Sequence, residues 1–128
     1  MLSCKDFFLD YNKKLSEVLK NYHYDEIEKI TKFLEISIKT KKKIFVCGNG
    51  GSASIANHFL CDFNKGIKVS SSKRVIPKII SLTNSIELIT AIANDINFNE
   101  IFASQLENYA KKNDILIVIS SSGKSKNI

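Results

Sequence analysis

Apolar residues fall along the chain in two patterns, stripes at helical spacing and short unbroken runs. Phe7, Phe8, Tyr11, Leu15, Val18 and Leu19 recur at helical spacing and predict a first helix. Asp25 followed by Glu28 resembles a capping box, so a second helix is expected to start near Tyr24, with Ile27, Ile30, Leu34 and Ile38 on one face. Lys41, Lys42 and Lys43 then read as a solvated turn. Residues 44–47 are apolar and bounded by glycine, which predicts a buried strand. The next helix is expected to be capped by Ser52 and to run to about Asn64, with Ala56, Phe59, Leu60 and Phe63 inward and Gly66 ending it. Ser70, Ser71, Ser72 and Lys73 read as a polar surface loop, and 77–82 as a second strand with Pro77 at its start, where no ladder donor is needed. A short helix over 85–93, a turn at Asn94 and Asp95, and a longer helix over 98–112 follow, the last with Ile101, Phe102, Leu106 and Tyr109 inward. Asn113 and Asp114 mark a turn, and 115–119 reads as a third buried strand.

Strands separated by helices of this length predict an α/β fold of βαβ units, a parallel sheet flanked by helices. Ligands then sit beyond the carboxyl ends of the strands. At 128 residues the expectation is one domain. Within it, 1–40 would form N-terminal helices that join subunits and 44–128 the ligand-binding core. The sequence stops soon after the 120–123 loop, before a helix that would cover the third strand. A fragment of a longer fold is therefore expected, with apolar surface and an open sheet edge.

Apolar content of 44% and charged content of 25% are ordinary for a globular protein. The net charge of +6 is nearly all lysine, Arg74 being the only arginine. Recognition of nucleic acid favours arginine for bidentate and stacked contacts, so no nucleic-acid partner is expected. Cys4, Cys47 and Cys61 are odd in number and lack CxxC spacing, which points to a reducing compartment. Charges interrupt the N-terminal apolar stretch, so it is no signal peptide, and no run approaches the ~20 apolar residues that span a bilayer. The expectation is a cytoplasmic protein with no membrane partner.

The candidate chemistry lies in two loops that follow strands. Gly48, Asn49, Gly50, Gly51 and Ser52 form a strand–loop–helix junction, which presents backbone N–H groups and the positive end of a helix dipole to an anion. Ala53 breaks the GxGxxG spacing and no GK[ST] closes the loop, so nucleotide binding is disfavoured; a tight turn that merely needs glycine is the plain alternative. The second junction repeats the plan with hydroxyls: Ser120, Ser121, Ser122 and Ser125 surround Gly123, and Lys124 offers a point charge or is simply exposed. Together the loops suggest a phosphorylated small molecule. His58 and Asp62 stand four apart on one helix face, as a zinc-binding or acid/base pair or as a surface contact. Cys61 beside them reads as a buried, inert thiol rather than a third ligand, and His23 as structural.

The glycine loop, the helix carrying His58 and Asp62, the segment 93–98 and the serine loop 119–125 jointly resemble the SIS (sugar isomerase) fold, specifically the phosphoheptose isomerases. The resemblance covers almost the whole chain. It implies a three-layer parallel sheet flanked by helices, with an N-terminal helical hairpin and the last part of the fold missing. It implies conversion of sedoheptulose 7-phosphate to D-glycero-D-manno-heptose 7-phosphate, supplying heptose for lipopolysaccharide, S-layer or capsule, by cytoplasmic homotetramers that bind one zinc per subunit. By the same resemblance Asn49, Gly50, Gly51 and Ser52 contact substrate, Asn94 and Asp95 hold sugar hydroxyls, and Ser120, Ser121, Ser122 and Ser125 hold the phosphate. His58 becomes a zinc ligand. Asp62 stands where the family usually has Glu, both metal ligand and catalytic base, and is shorter by one methylene. The family's remaining ligands and partner acid/base, a Gln and a His, come from a C-terminal region this sequence lacks. A non-catalytic SIS module is the alternative, binding a sugar phosphate or a protein partner in the manner of relatives that bind the replication initiator.

Overall fold

The hydroxyl of Ser3 accepts the Asp6 amide at 3.1 Å and opens α1 (Cys4–Lys20) in the computed structural model, which describes residues 3–70 and 75–128. The chain divides into two units, Met1–Phe33 and Leu34–Ile128. In the first, α1 buries none of its residues, and Phe7, Phe8, Leu15 and Leu19 stay exposed along it. A short turn leads into α2 (Tyr24–Lys39), where the Tyr24 hydroxyl donates to the Leu19 carbonyl at 2.7 Å. The helix starts where expected, but not through a capping box. Glu28 instead pairs with Lys32 at 2.6 Å along the exposed face.

The second unit is built around β1 (Lys43–Gly48), the central strand of a parallel sheet ordered β2-β1-β3, with β2 at Lys78–Ser81 and β3 at Ile115–Ile119. Side chains alternate across a strand, so β1 serves two cores. Ile44 and Val46 pack with Ile79 and Ala56, with Leu34 and Ile38 from the end of α2, and with Phe59 and Leu60 from α3 (Gly51–Cys61). Phe45 and Cys47 face the other way. They pack with Leu82, with Ile92 of α5 (Ile86–Asp95), and with Ile101, Phe102 and Leu106 around α6 (Ala103–Tyr109). Helices on both faces of a parallel sheet are the arrangement the alternation of elements predicts.

The third strand is less buried than its apolar run predicts, and it carries the apolar surface and open edge that the element order predicts. Its register places Leu116 beside Phe45 and Val118 beside Cys47. Yet Leu116 and Val118 are 44% and 42% exposed, whereas Phe45 and Cys47 are sealed. Helix α6 covers the central strand on that face, and the edge strand is covered there only in part. β3 is therefore half-buried and not a fully buried strand.

Five local expectations are also corrected. Gly66 does not end its helix. The chain continues through a π turn (Asp62–Gly66) into α4 (Ile67–Ser70), with the Ser70 hydroxyl donating to the Gly66 carbonyl at 2.7 Å. A Cβ on Gly66 would meet nothing within 4 Å, so no close approach demands a terminator there. Ser70 is thus helical, and the rest of the expected polar loop, residues 71–73, lies outside the described residues. Asn94 and Asp95 belong to the last turn of α5, not to a loop. The helix expected over 98–112 is split. A 3-10 turn (Phe98–Glu100) precedes α6, and the Asp114 carboxylate then draws the chain into a turn by accepting the Lys111 amide at 2.8 Å. The buried position of α6 is Gln105, which donates to the carbonyls of Leu82 at 3.0 Å and Ile101 at 2.6 Å, whereas Tyr109 is exposed.

Candidate functional site

Gly48 is the last residue of β1 and pairs with Ile119, the last of β3, so both loops leave the sheet at one level. A Cβ on Gly48 would lie 2.7 Å from the Ser52 Cβ and 2.8 Å from its carbonyl carbon and oxygen. Only glycine lets the first turn of α3 press this closely on the strand end. Gly50, at φ 54°, is the residue before the helix and adopts a conformation that side chains disfavour. The expected cap by Ser52 is therefore corrected. No side chain caps α3, and Ser52 lies inside its first turn, its N–H given to the Asn49 carbonyl at 3.0 Å. The N–H groups of Gly50 and Gly51 find no acceptor among the described residues. These are the unpaired donors that make a helix start receptive to an anion.

The serine loop holds its shape through its own hydroxyls. Ser120 accepts the Gly123 amide at 3.0 Å, Ser122 accepts the Lys124 amide at 3.2 Å, and Gly123 takes φ 61°. A hydroxyl that accepts in this way still has its own hydrogen to donate. The two loops meet around a cavity of about 100 Å³ lined by Asn49, Ser52, Ser120, Ser121, Ser122 and Ser125, with Ile119 at its edge. That is the scale of a phosphoryl group, not of a whole sugar phosphate. Lys124 is exposed and takes no part in the lining.

Other candidates lie elsewhere. His58 Nε2 and Asp62 Oδ1 are 3.5 Å apart, on side chains 77% and 62% exposed, and neither lines the cavity. Cys61 is exposed, contrary to expectation, because it falls on the outer face of α3. The buried thiol is Cys47, whose pKa desolvation pushes up to about 11, so it stays protonated and inert. Asn94 donates to the Asp95 carboxylate at 2.8 Å, and both are exposed at the end of α5. His23 is exposed in the turn between α1 and α2.

Two polar groups near the site carry no motif. Asn127 is 8% exposed and exchanges amide hydrogen bonds with Asn49 at 2.8 and 2.9 Å. At the end of β2, the Ser81 and Thr83 hydroxyls lie 2.6 and 2.9 Å from the Asn57 side-chain oxygen, tying the strand to α3. Only contacts distant in sequence reveal either group; no local spacing signals them.

A family model described as the SIS domain matches residues 6–128, nearly the whole chain. The chain belongs to the SIS-domain family. This SIS domain is 39% identical over 124 residues to a phosphoheptose isomerase of Helicobacter pylori, a match covering 97% of this chain and 62% of that protein. A phosphoheptose isomerase of Aliarcobacter butzleri is 36% identical over 121 residues, 94% of this chain and 62% of that protein. Among solved structures, a phosphoheptose isomerase from Francisella tularensis superposes with a TM-score of 0.81 at 29% identity, covering 99% of this chain and 65% of that one. The enzyme from Neisseria gonorrhoeae gives 0.79 at 28% identity, covering 94% and 60%. This SIS domain thus spans a little under two thirds of the length of the relatives it matches.

Zinc, which the resemblance implies, requires three or four protein donors. Among the described residues no group of three His, Cys, Asp or Glu side chains is placed to hold a metal ion. The His58–Asp62 pair alone does not fit a resident zinc.

Proposed function

We propose that this SIS domain grips the phosphate end of a sugar phosphate in the cavity between its two loops, as part of a phosphoheptose isomerase. The observation that carries this reading is the convergence of Ser52, Ser120, Ser121, Ser122 and Ser125 on one phosphoryl-sized cavity beside the free amides of Gly50 and Gly51. Hydroxyls and oriented amides suit a dianion without requiring arginine. The phosphoheptose isomerases it resembles support sedoheptulose 7-phosphate as substrate and D-glycero-D-manno-heptose 7-phosphate as product.

The reaction moves a proton between neighbouring carbons. A base takes the C1 proton of the ketose, an enediol forms, and C2 receives a proton while O1 loses one to become the aldehyde oxygen. In this reading Asp62 is the base. His58 stands beside it, and the two would supply part of a zinc shell that no third His, Cys, Asp or Glu completes among the described residues. Asn94 and Asp95 hold sugar hydroxyls, and Asn49 forms the cavity wall. Heptose supply to lipopolysaccharide or capsule, and residence in the cytoplasm, follow from the same family likeness. The exposed apolar side chains of α1 support a homo-oligomer, a tetramer by resemblance, which light scattering tests. A monomer at micromolar concentration would refute it.

A second reading is a non-catalytic module that binds a sugar phosphate or a protein partner. It is favoured by the exposure of His58 and Asp62 outside the cavity. One experiment separates the two. Sedoheptulose 7-phosphate is added to the chain, both alone and extended by a relative's remaining segment, with Asp62→Ala and His58→Ala alongside. Turnover abolished by either substitution supports the isomerase. Binding without turnover in the extended form supports the module, and absence of sugar-phosphate binding removes the isomerase and leaves the module only its protein partner.

A further inference from the structure

Gly48 and Ile119 form the last rung between β1 and β3, and beyond it the two loops continue without a shared backbone bond. Among the described residues, one hydrogen-bonded link joins them past that point, the Asn49–Asn127 pair. Each amide donates one N–H to the other's oxygen, at 2.8 and 2.9 Å, so the two planes are fixed relative to each other. Asn127 is almost wholly buried, whereas Asn49 is partly exposed and lines the cavity. An asparagine amide has two N–H groups, so Asn49 keeps one free after the exchange. The buried partner therefore dictates how an amide in the cavity wall is turned.

We infer that Asn127 is a positioning residue: it clasps Asn49, and through it holds the glycine loop at the distance from the serine loop that a phosphoryl group requires. The clasp rests on the geometry alone, and its ligand rests on the phosphate reading above. Loss of one partner leaves the other amide without its complement near the protein interior, which costs more than loss of both. Asn127→Ala should thus loosen the loops about as much as Asn49→Ala, and the double variant should add little. Independent roles would multiply instead.

Two measurements on the whole chain test this. Amide hydrogen exchange is followed at Ser52 and Gly123, whose N–H groups are bonded within their loops. Inorganic phosphate is titrated by NMR shift in the same variants. Each single substitution should speed loop exchange about tenfold, leave the β1 amides at parental rates and weaken phosphate about tenfold, and the double variant should match the singles. Parental exchange in Asn127→Ala, equal acceleration throughout the sheet, or multiplicative losses in the double variant would overturn the clasp. Should Asn127→Ala fail to fold, Asn127→Asp replaces it. It matches asparagine in size and accepts from Asn49 but cannot donate back, so it should speed exchange at the same two amides, and parental rates there would overturn the clasp. A parental chain that shows no shift with phosphate overturns the ligand reading, and the exchange data still decide the clasp.

Discussion

The glycine loop and the serine loop leave adjacent strands at one level and wall one cavity, yet they are held in place by different physics. The first depends on backbone geometry: Gly48 lets the helix start approach, and Gly50 supplies a conformation that side chains resist. The second depends on side chains: Ser120 and Ser122 accept its own amides. Damage to the first should therefore register as lost stability, and damage to the second as lost binding with the fold kept.

The sharpest way to break that contrast is Gly48→Ala. Its methyl would meet Ser52 backbone atoms at 2.8 Å, which a flexible side chain cannot relieve. Destabilisation of about 3 kcal/mol is expected from forced overpacking, read from the urea midpoint. A change below about 0.5 kcal/mol would show that the close approach is not structural. In the serine loop, Ser121→Ala touches no loop hydrogen bond and should weaken phosphate by roughly tenfold, the worth of one hydrogen bond to a charged group, with the urea midpoint unchanged. An unchanged affinity would remove Ser121 from the site. Gly50→Ala should cost about 1 kcal/mol for the positive φ alone, since a Cβ there meets nothing within 4 Å. A cost equal to that of Gly48→Ala would mean that the two glycines are not distinguished by contact.

The smallest effect lies at the opposite end of the same strands, where neither loop chemistry operates. Asp114 accepts the amides of Lys43 at 2.9 Å and Lys111 at 2.8 Å, stapling the start of β1 to the turn before β3. Desolvation would raise its pKa, but those two N–H groups and the charges of Lys43 and Lys42 outweigh it and hold the carboxyl below its usual range. A depressed folded pKa contributes stability above the unfolded value, about 3.9, and loses it as pH falls through the folded one. Asp114→Asn should accordingly be less stable than the parent by under about 1 kcal/mol at pH 7. The two should converge as the pH drops below about 4, followed by urea unfolding at each pH. A difference that persists unchanged into acid would assign the staple to shape instead of charge.

Elements whose order follows from local periodicity were legible in the sequence: the parallel α/β plan, the central strand, and the loops after the first and third strands with Gly48, Gly50 and the serines. These rest on spacing, turn chemistry and glycine's freedom, which act over a few residues. Contacts across tens of residues were not legible. Only folding shows that Cys61, read as buried, lies exposed on the helix whose Ala56 is sealed as its spacing predicts. The same holds for Asn127, which reaches 78 residues back to Asn49, whereas the exposure of Leu116 follows the open sheet edge that the element order already predicts. The helix past Gly66 and the split after Phe98 belong with these, because neighbouring hydrogen bonds decide between conformations that intrinsic preference leaves nearly equal. The sequence dictates which chemistry each loop offers. Packing decides what the loops face, because burial and pairing depend on which distant segment fills the adjoining space.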